Sequence, residues 1–272
     1  MKIGLVPMSA KPYHAGHHML VELAAISEIT DEVKSLELPV NDNVIVFVSF
    51  SSRGVKKIKD PSDSRTLKQG ARKIEVPKQG ETPVFGTDMK YIWNSLLKPN
   101  LNLSSKVKII SPDDGASPAP VRSIHDVCAV LKEAYDAGEE TWSIPYLGTN
   151  ASVNDTVINI YSDDQDIVTN YSDALMTQQY GELWKNQEGP AIIGVGVPRS
   201  ATVEISGTKM RGYLCSGDLE SFAALLPPLP DNVKKEIAQI LSNSATCGMS
   251  MERQGGTNES LLRSYIRGIL VG

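Results

Sequence analysis

Hydrophobic positions are not spread evenly along the chain; they come in short runs with a helical pattern between them. Residues 2–8 read as a short buried strand, and 43–50 (NVIVFVSF) form the strongest strand pattern in the sequence. A near-continuous apolar run of this kind suits a central parallel strand covered on both faces. Between them Leu20, Val21, Ala24 and Ala25 recur at helical spacing, which predicts a helix over about 16–26. From 51 to 86 the pattern fades into Lys, Arg, Gly, Pro, Asp and Ser. That composition predicts a long loop or a small inserted hairpin, and a mobile one. Further on, 87–97 predicts a helix capped by Thr87 or Asp88. Residues 106–111 predict a strand, 112–120 a loop and 121–137 a helix. Strands are expected at 156–161, 191–197 and 202–205, with helices starting at Thr208, Asp218 and Asp231 and another near the end of the chain.

Strands alternating with helices over most of the length predict an α/β fold: a doubly wound, Rossmann-like parallel sheet with helices on both faces. The last fifty or so residues read as all-helical. The expected organisation is one domain over 1–215, with insertions near 51–86 and 100–154, followed by a C-terminal helical appendage over 216–272. A chain of 272 residues is long enough for that arrangement.

Composition adds boundaries. With 41% hydrophobic and 22% charged residues, an ordinary soluble core is expected. The net charge of −5 argues against a general nucleic-acid binder, yet leaves room for a local basic pocket around a small anion. No stretch approaches the roughly 18 apolar residues of a membrane span. The apolar run at 3–8 stops at Ser9 and Lys11, too short for a secretory core. The expectation is therefore the cytoplasm (a host's cytoplasm if the chain is viral), with neither membrane nor nucleic acid as a partner. Cys128, Cys215 and Cys247 are widely spaced with no CxxC pair, and read as reduced thiols.

Two stretches carry candidate chemistry. The first, Lys11-Pro12-Tyr13-His14-Ala15-Gly16-His17, lies where the first strand gives way to the first helix. Ligands of open α/β sheets bind at that edge. Two imidazoles three residues apart can face one point if the chain turns between them. Gly16 permits close backbone approach, and His17 falls in a helical first turn, which favours anions. As metal ligands the two histidines lack a nearby third donor; as ordinary surface histidines they would mean nothing. The second stretch, Ile205-Ser206-Gly207-Thr208-Lys209-Met210-Arg211, places Ser206 as a helix N-cap. Two hydroxyls, two cations and the free amides of a helix start fall within six residues, a donor set that suits a triphosphate.

The pair, HxGH after the first strand and ISxTxxR late in the domain, resembles the double signature of the nucleotidylyltransferase α/β superfamily, over about residues 1–215. That superfamily includes adenylyltransferases, cytidylyltransferases and ATP sulfurylase. The stretch from Gly217 to Pro227 is similar to phage-encoded members. By this resemblance His14 and His17 would contact phosphate and stabilise the pentacoordinate transition state. Ser206, Thr208 and Arg211 would hold the β- and γ-phosphates, with Gly16 against the nucleotide and Lys11 as a further phosphate contact. Mg²⁺ would offset charge. The implied enzyme is a nucleotidyltransferase acting on a nucleoside triphosphate, ATP first, and a small phosphorylated acceptor such as nicotinamide mononucleotide. A cytidylyltransferase, an inactive nucleotide-binding relative and a metal-binding module remain as alternatives, and a homo-oligomer stays open. No QxRN-type element precedes HxGH, which argues against sulfate activation.

Other features divide between function and structure. Ser162 to Asp166 follows a strong strand, at the place where the superfamily sets an acid against ribose or base. Asp163 or Asp164 is the candidate, with a solvated acidic turn as the other reading. The basic stretch 53–59 reads as a solvated loop more than as a lid over phosphates. His18 reads as structural, His125 has no evident partner, and Trp93, Trp142 and Trp184 read as core or loop anchors.

Overall fold

The computed structural model describes residues 1–9, 12–26, 38–198 and 205–244. In chain order the elements are β1 (Lys2–Ser9), α1 (Ala15–Ala24), β2 (Asn43–Ser49), β3 (Val55–Lys59), β4 (Lys73–Pro77) and α2 (Gly86–Ile92). After these come β5 (Val107–Ile110), α3 (Pro120–Asp136), β6 (Thr141–Ile144), β7 (Thr149–Ser152) and β8 (Val157–Asp163). The remainder are α4 (Asp164–Asn170), α5 (Asp173–Tyr180), β9 (Ala191–Val197), α6 (Gly207–Ser216), α7 (Leu219–Ala224) and α8 (Asp231–Ser244). The strand expected at 202–204 and the final helix expected near the end of the chain lie outside the described residues.

Five strands form one sheet in the order β5-β2-β1-β8-β9, and every pairing in it is parallel. β1 is central, in register with β2 from Ile3↔Asn43 to Ser9↔Ser49. Period-two alternation explains why the strands look almost wholly apolar. Val6, Met8, Val44, Val46 and Val48 pack on one face with α1, α2 and α6 to α8. Ile3, Leu5, Ile45, Phe47, Ile158 and Ile160 pack on the other with α3 and α5. The sheet is thus doubly wound. Its strand order reverses at β1/β8, where an open α/β sheet leaves a crevice for a ligand.

The segment 51–86 contains an antiparallel hairpin, β3–β4, whose arms are largely polar. Of the stretch 100–154, β5 and α3 belong to the main sheet and its covering layer, and only the hairpin β6–β7 stands outside the sheet. Helix α2 is capped by neither Thr87 nor Asp88. Its N-cap is Phe85, and the amide of Gly86 donates 2.8 Å to Ser52 Oγ, so a distant hydroxyl does the capping. The helix then widens into a π-helical turn, Trp93–Leu97, that buries Trp93 and Leu97. Cys128, on the buried face of α3, is a free thiol, and burial pushes its pKa up. Cys215 is disulfide-bonded, so the expectation of reduced thiols throughout fails there; cysteine spacing alone carries no pairing information. Among the described residues no helix is long and apolar enough to cross a membrane.

The root of the β3–β4 hairpin is closely packed. A Cβ at Gly86 would lie 2.2 Å from the carbonyl oxygen of Phe50. Gly86→Ala is therefore expected to destabilise the protein by about 1–3 kcal/mol through overpacking. Urea unfolding of the variant beside wild type measures this, and equal midpoints would count against the contact.

Candidate functional site

The first motif is built around the start of α1. His14 is the N-cap residue in extended conformation, and its ring Nδ1 accepts the His17 amide at 3.4 Å. An accepting Nδ1 puts the ring proton on Nε2. The two rings then stack, with centroids 3.8 Å apart and planes at 17°. Tyr13, buried, stacks on His17 at 5.7 Å and meets Trp93 edge-on at 5.2 Å. This apolar backing holds both imidazoles neutral. Burial brings the pKa of His14 down to about 4. Burial, then the neighbouring His14, holds His17 well below the usual histidine range. His17 Nδ1 is buried without a hydrogen-bond partner. An orphaned polar atom of this kind costs about 1–3 kcal/mol unless something completes it.

The amides of this helix start are less open to an anion than the sequence implies. Ala15 N–H donates 2.9 Å to the carbonyl of Leu225, at the end of α7. The His17 amide is taken by His14. Gly16 lies between them, half-buried in the first turn. The C-terminal helices thus reach the motif directly; a backbone carbonyl leaves no trace in a sequence. His18, read as structural, is buried between the Tyr13 hydroxyl at 3.3 Å and Glu22 Oε1 at 3.3 Å. Lys11 lies outside the described residues.

The second motif starts α6. Ser206 is its N-cap, as expected, with Oγ accepting the Lys209 amide at 3.1 Å. Thr208 and Lys209 are exposed, while Met210 and Leu214 enter the core. Arg211 Nη2 donates 3.2 Å to Thr208 Oγ1. Burial, then the charge of Arg53, lowers the pKa of Arg211, with Glu81 acting the other way. Met210 shares one apolar cluster with Tyr13, so the two helix starts rest on a common layer. His14 is in direct contact with His17, and Thr208 with Arg211.

Asp163 caps α4, its Oδ1 accepting the Asp166 amide at 3.0 Å. The expected acidic turn is the first turn of that helix. A cavity of about 120 Å³ lies at the carboxyl ends of β1 and β8, with Ser9, Ser162, Asp166, Asn170 and Tyr171 among its walls. The Tyr171 hydroxyl is buried without a hydrogen-bond partner. A separate cavity of about 140 Å³, beside Glu22, Asn102 and Ser104, sits at the far end of α1 from His14 and adjoins neither motif. His125, for which the sequence offered no partner, bonds the Tyr180 hydroxyl at 2.6 Å.

Asp166 and Tyr171 line the cavity at β1 and β8 without having been singled out from sequence, and Arg53 acts on Arg211 from the stretch weighed above as loop or lid. Arg53 was hidden in a basic stretch that reads as solvated. Asp166 was overshadowed by Asp163 in the same run. Tyr171 carried no pattern at all. No group of three or more His, Cys, Asp or Glu side chains converges among the described residues. No family model matches this chain, and no curated protein matches it.

Proposed function

We propose that this chain is a nucleotidylyltransferase. It transfers a nucleotidyl group from a nucleoside triphosphate, ATP first, to a small phosphorylated acceptor such as nicotinamide mononucleotide, and releases pyrophosphate. The observation that carries this reading is the stacked, neutral His14–His17 pair at the carboxyl edge of the central strand. Two neutral imidazoles can each present an N–H to a phosphate without repelling one another as two imidazolium ions would.

In this reading an acceptor phosphate oxygen attacks the α-phosphorus in line. The new P–O bond forms as the bond to the β-phosphate's bridging oxygen breaks, and pyrophosphate departs. His14 and His17 donate to the non-bridging oxygens, where charge accumulates. Ser206, Thr208 and Arg211 hold the departing phosphates, whose oxygens meet Arg211 already in the ground state. Gly16 lets the chain pass close to the nucleotide. Mg²⁺, bound to the triphosphate, would offset its charge. The crevice between β1 and β8 has no Lys or Arg among its walls. It suits the uncharged or cationic part of an acceptor, not the phosphate. The setting proposed with this activity is the cytoplasm.

The test is a pyrophosphate-release screen of the four common triphosphates against a panel of phosphorylated acceptors. Release is expected with one triphosphate–acceptor pair and not with triphosphate alone. A full-length, folded protein that releases none across the panel would overturn the reading.

A further inference from the structure

The start of α1 has the form of a hydrophobic staple, in which the residue before the N-cap packs on the fourth residue of the helix. Here those positions are Tyr13 and His18, with His14 as the N-cap. Their rings meet edge-on at 6.4 Å, and the contact is polar as well as apolar. The Tyr13 hydroxyl lies 3.3 Å from His18 Nδ1. Glu22, one turn further along α1, sets its Oε1 3.3 Å from His18 Nε2. A carboxylate only accepts, so it holds the imidazole proton on Nε2, and Nδ1 is left to accept from the Tyr13 hydroxyl. Burial, then the charge of Glu22, keeps that hydroxyl protonated and able to donate. Tyr13 and His18 are both buried, whereas Glu22 is exposed.

His17 is held differently. Its Nδ1 is buried without a hydrogen-bond partner, so no bond at that nitrogen sets the plane of the ring. The ring rests instead on its stacks, with His14 at 3.8 Å and with Tyr13 at 5.7 Å. A stack lets a ring slide, and it fixes a position only as well as the partner ring is fixed. Tyr13 is fixed along its edge by Trp93 at 5.2 Å and at its hydroxyl by His18, which Glu22 steadies in turn. We propose that His18 and Glu22 are positioning residues for nucleotidyl transfer, acting through Tyr13 to hold the His17 ring in the plane from which it meets the phosphate. The proposal rests on the nucleotidylyltransferase reading for its reaction. It gives His18 a role beyond packing, and neither residue is assigned a contact with substrate.

The test uses two variants of the full chain. Tyr13→Phe keeps the ring and its stacks and removes only the hydroxyl. Glu22→Ala replaces an exposed side chain with the best helix former, so α1 is retained. Each is expected to lower kcat about 5- to 50-fold, short of the roughly 10²-fold that a 1 Å misplacement can cost. KM for the triphosphate is expected to change less than about 2-fold, because a neutral ring adds little to ground-state binding. Both variants break one line of contacts, so the double variant is expected to be no slower than the slower single one. Imidazole nitrogen NMR spectra of the ligand-free protein give a readout independent of activity, and the His17 signals are expected to shift in both variants. Wild-type turnover in both, losses that multiply in the double variant, or unmoved His17 signals would overturn the proposal while leaving the transferase reading in place. Shifted His17 signals in a protein that transfers no nucleotide would keep the coupling of Glu22 and His18 to His17 and remove the transferase reading.

Discussion

Replacing His17 by alanine is expected to lower turnover by about 10²–10³-fold while triphosphate binding changes only a few-fold. The reason lies in the protonation state. Burial and the stacked His14 keep His17 neutral. A neutral ring donates a hydrogen bond but brings no charge to the ground-state triphosphate. Its contribution grows only as negative charge gathers on the oxygens around the α-phosphorus, and interactions of that kind raise kcat, not affinity. Arg211→Ala is the useful contrast: its charge meets oxygens present before reaction, so binding weakens along with rate. Steady-state rates, with calorimetry of a non-hydrolysable triphosphate, separate the two. Wild-type turnover in His17→Ala would remove the histidine pair from the chemistry. Loss of triphosphate binding equal to that of Arg211→Ala would assign His17 to ground-state binding instead.

Much of the fold could be read from the chain because apolar runs and their spacing are local signals. β1, β2, β5, β8 and β9 fall within a residue or two of the expected strands, and Ser206 caps α6 as its residue type demands. The parallel pairing followed from strands buried on both faces. What escaped depends on contacts between distant segments. The arms of β3 and β4 (VKKIK and KIEVP) are too polar to show a buried face. β6 and β7 are only four residues each, too short for a period to emerge; Trp142 was recognised as an anchor, without its hairpin. The start of α2 is capped by Ser52, thirty-four residues away, which no local rule can find. At the site, the histidines were visible as a motif, but their neutrality was not. It comes from Tyr13 and the stacked rings, a matter of packing. The carbonyl of Leu225 on the Ala15 amide has no side chain to betray it. That bond makes the C-terminal helices, which the chain suggested as an appendage, part of the motif's framework.

The histidine pair should also govern how stability responds to pH. In the folded protein His14 takes up its proton only near pH 4, against an ordinary value of 6.5, because burial penalises the charged ring. His17 is shifted in the same direction. Between pH 6.5 and 4 the unfolded chain therefore binds more protons than the folded one, and stability rises with pH across that interval. The contribution is fully present above about pH 6.5 and is lost as pH falls towards 4. His14 alone accounts for about 3 kcal/mol, at 1.36 kcal/mol per pKa unit. The carboxylates held below their usual range, among them Asp60, Asp114 and Asp218, act in a different window. Their stabilisation is present above their unfolded values near 3.8 and disappears only at lower pH, so it does not mask the histidine interval. His125 is lowered by burial as well and remains as a background slope. Urea unfolding at pH 7, 5.5 and 4.5 is expected to show wild type losing most of this stability, and the double variant His14→Gln, His17→Gln losing distinctly less. Parallel pH profiles for the two proteins would mean that the imidazoles are solvated and freely protonated, and the neutral pair on which the proposed chemistry depends would not exist.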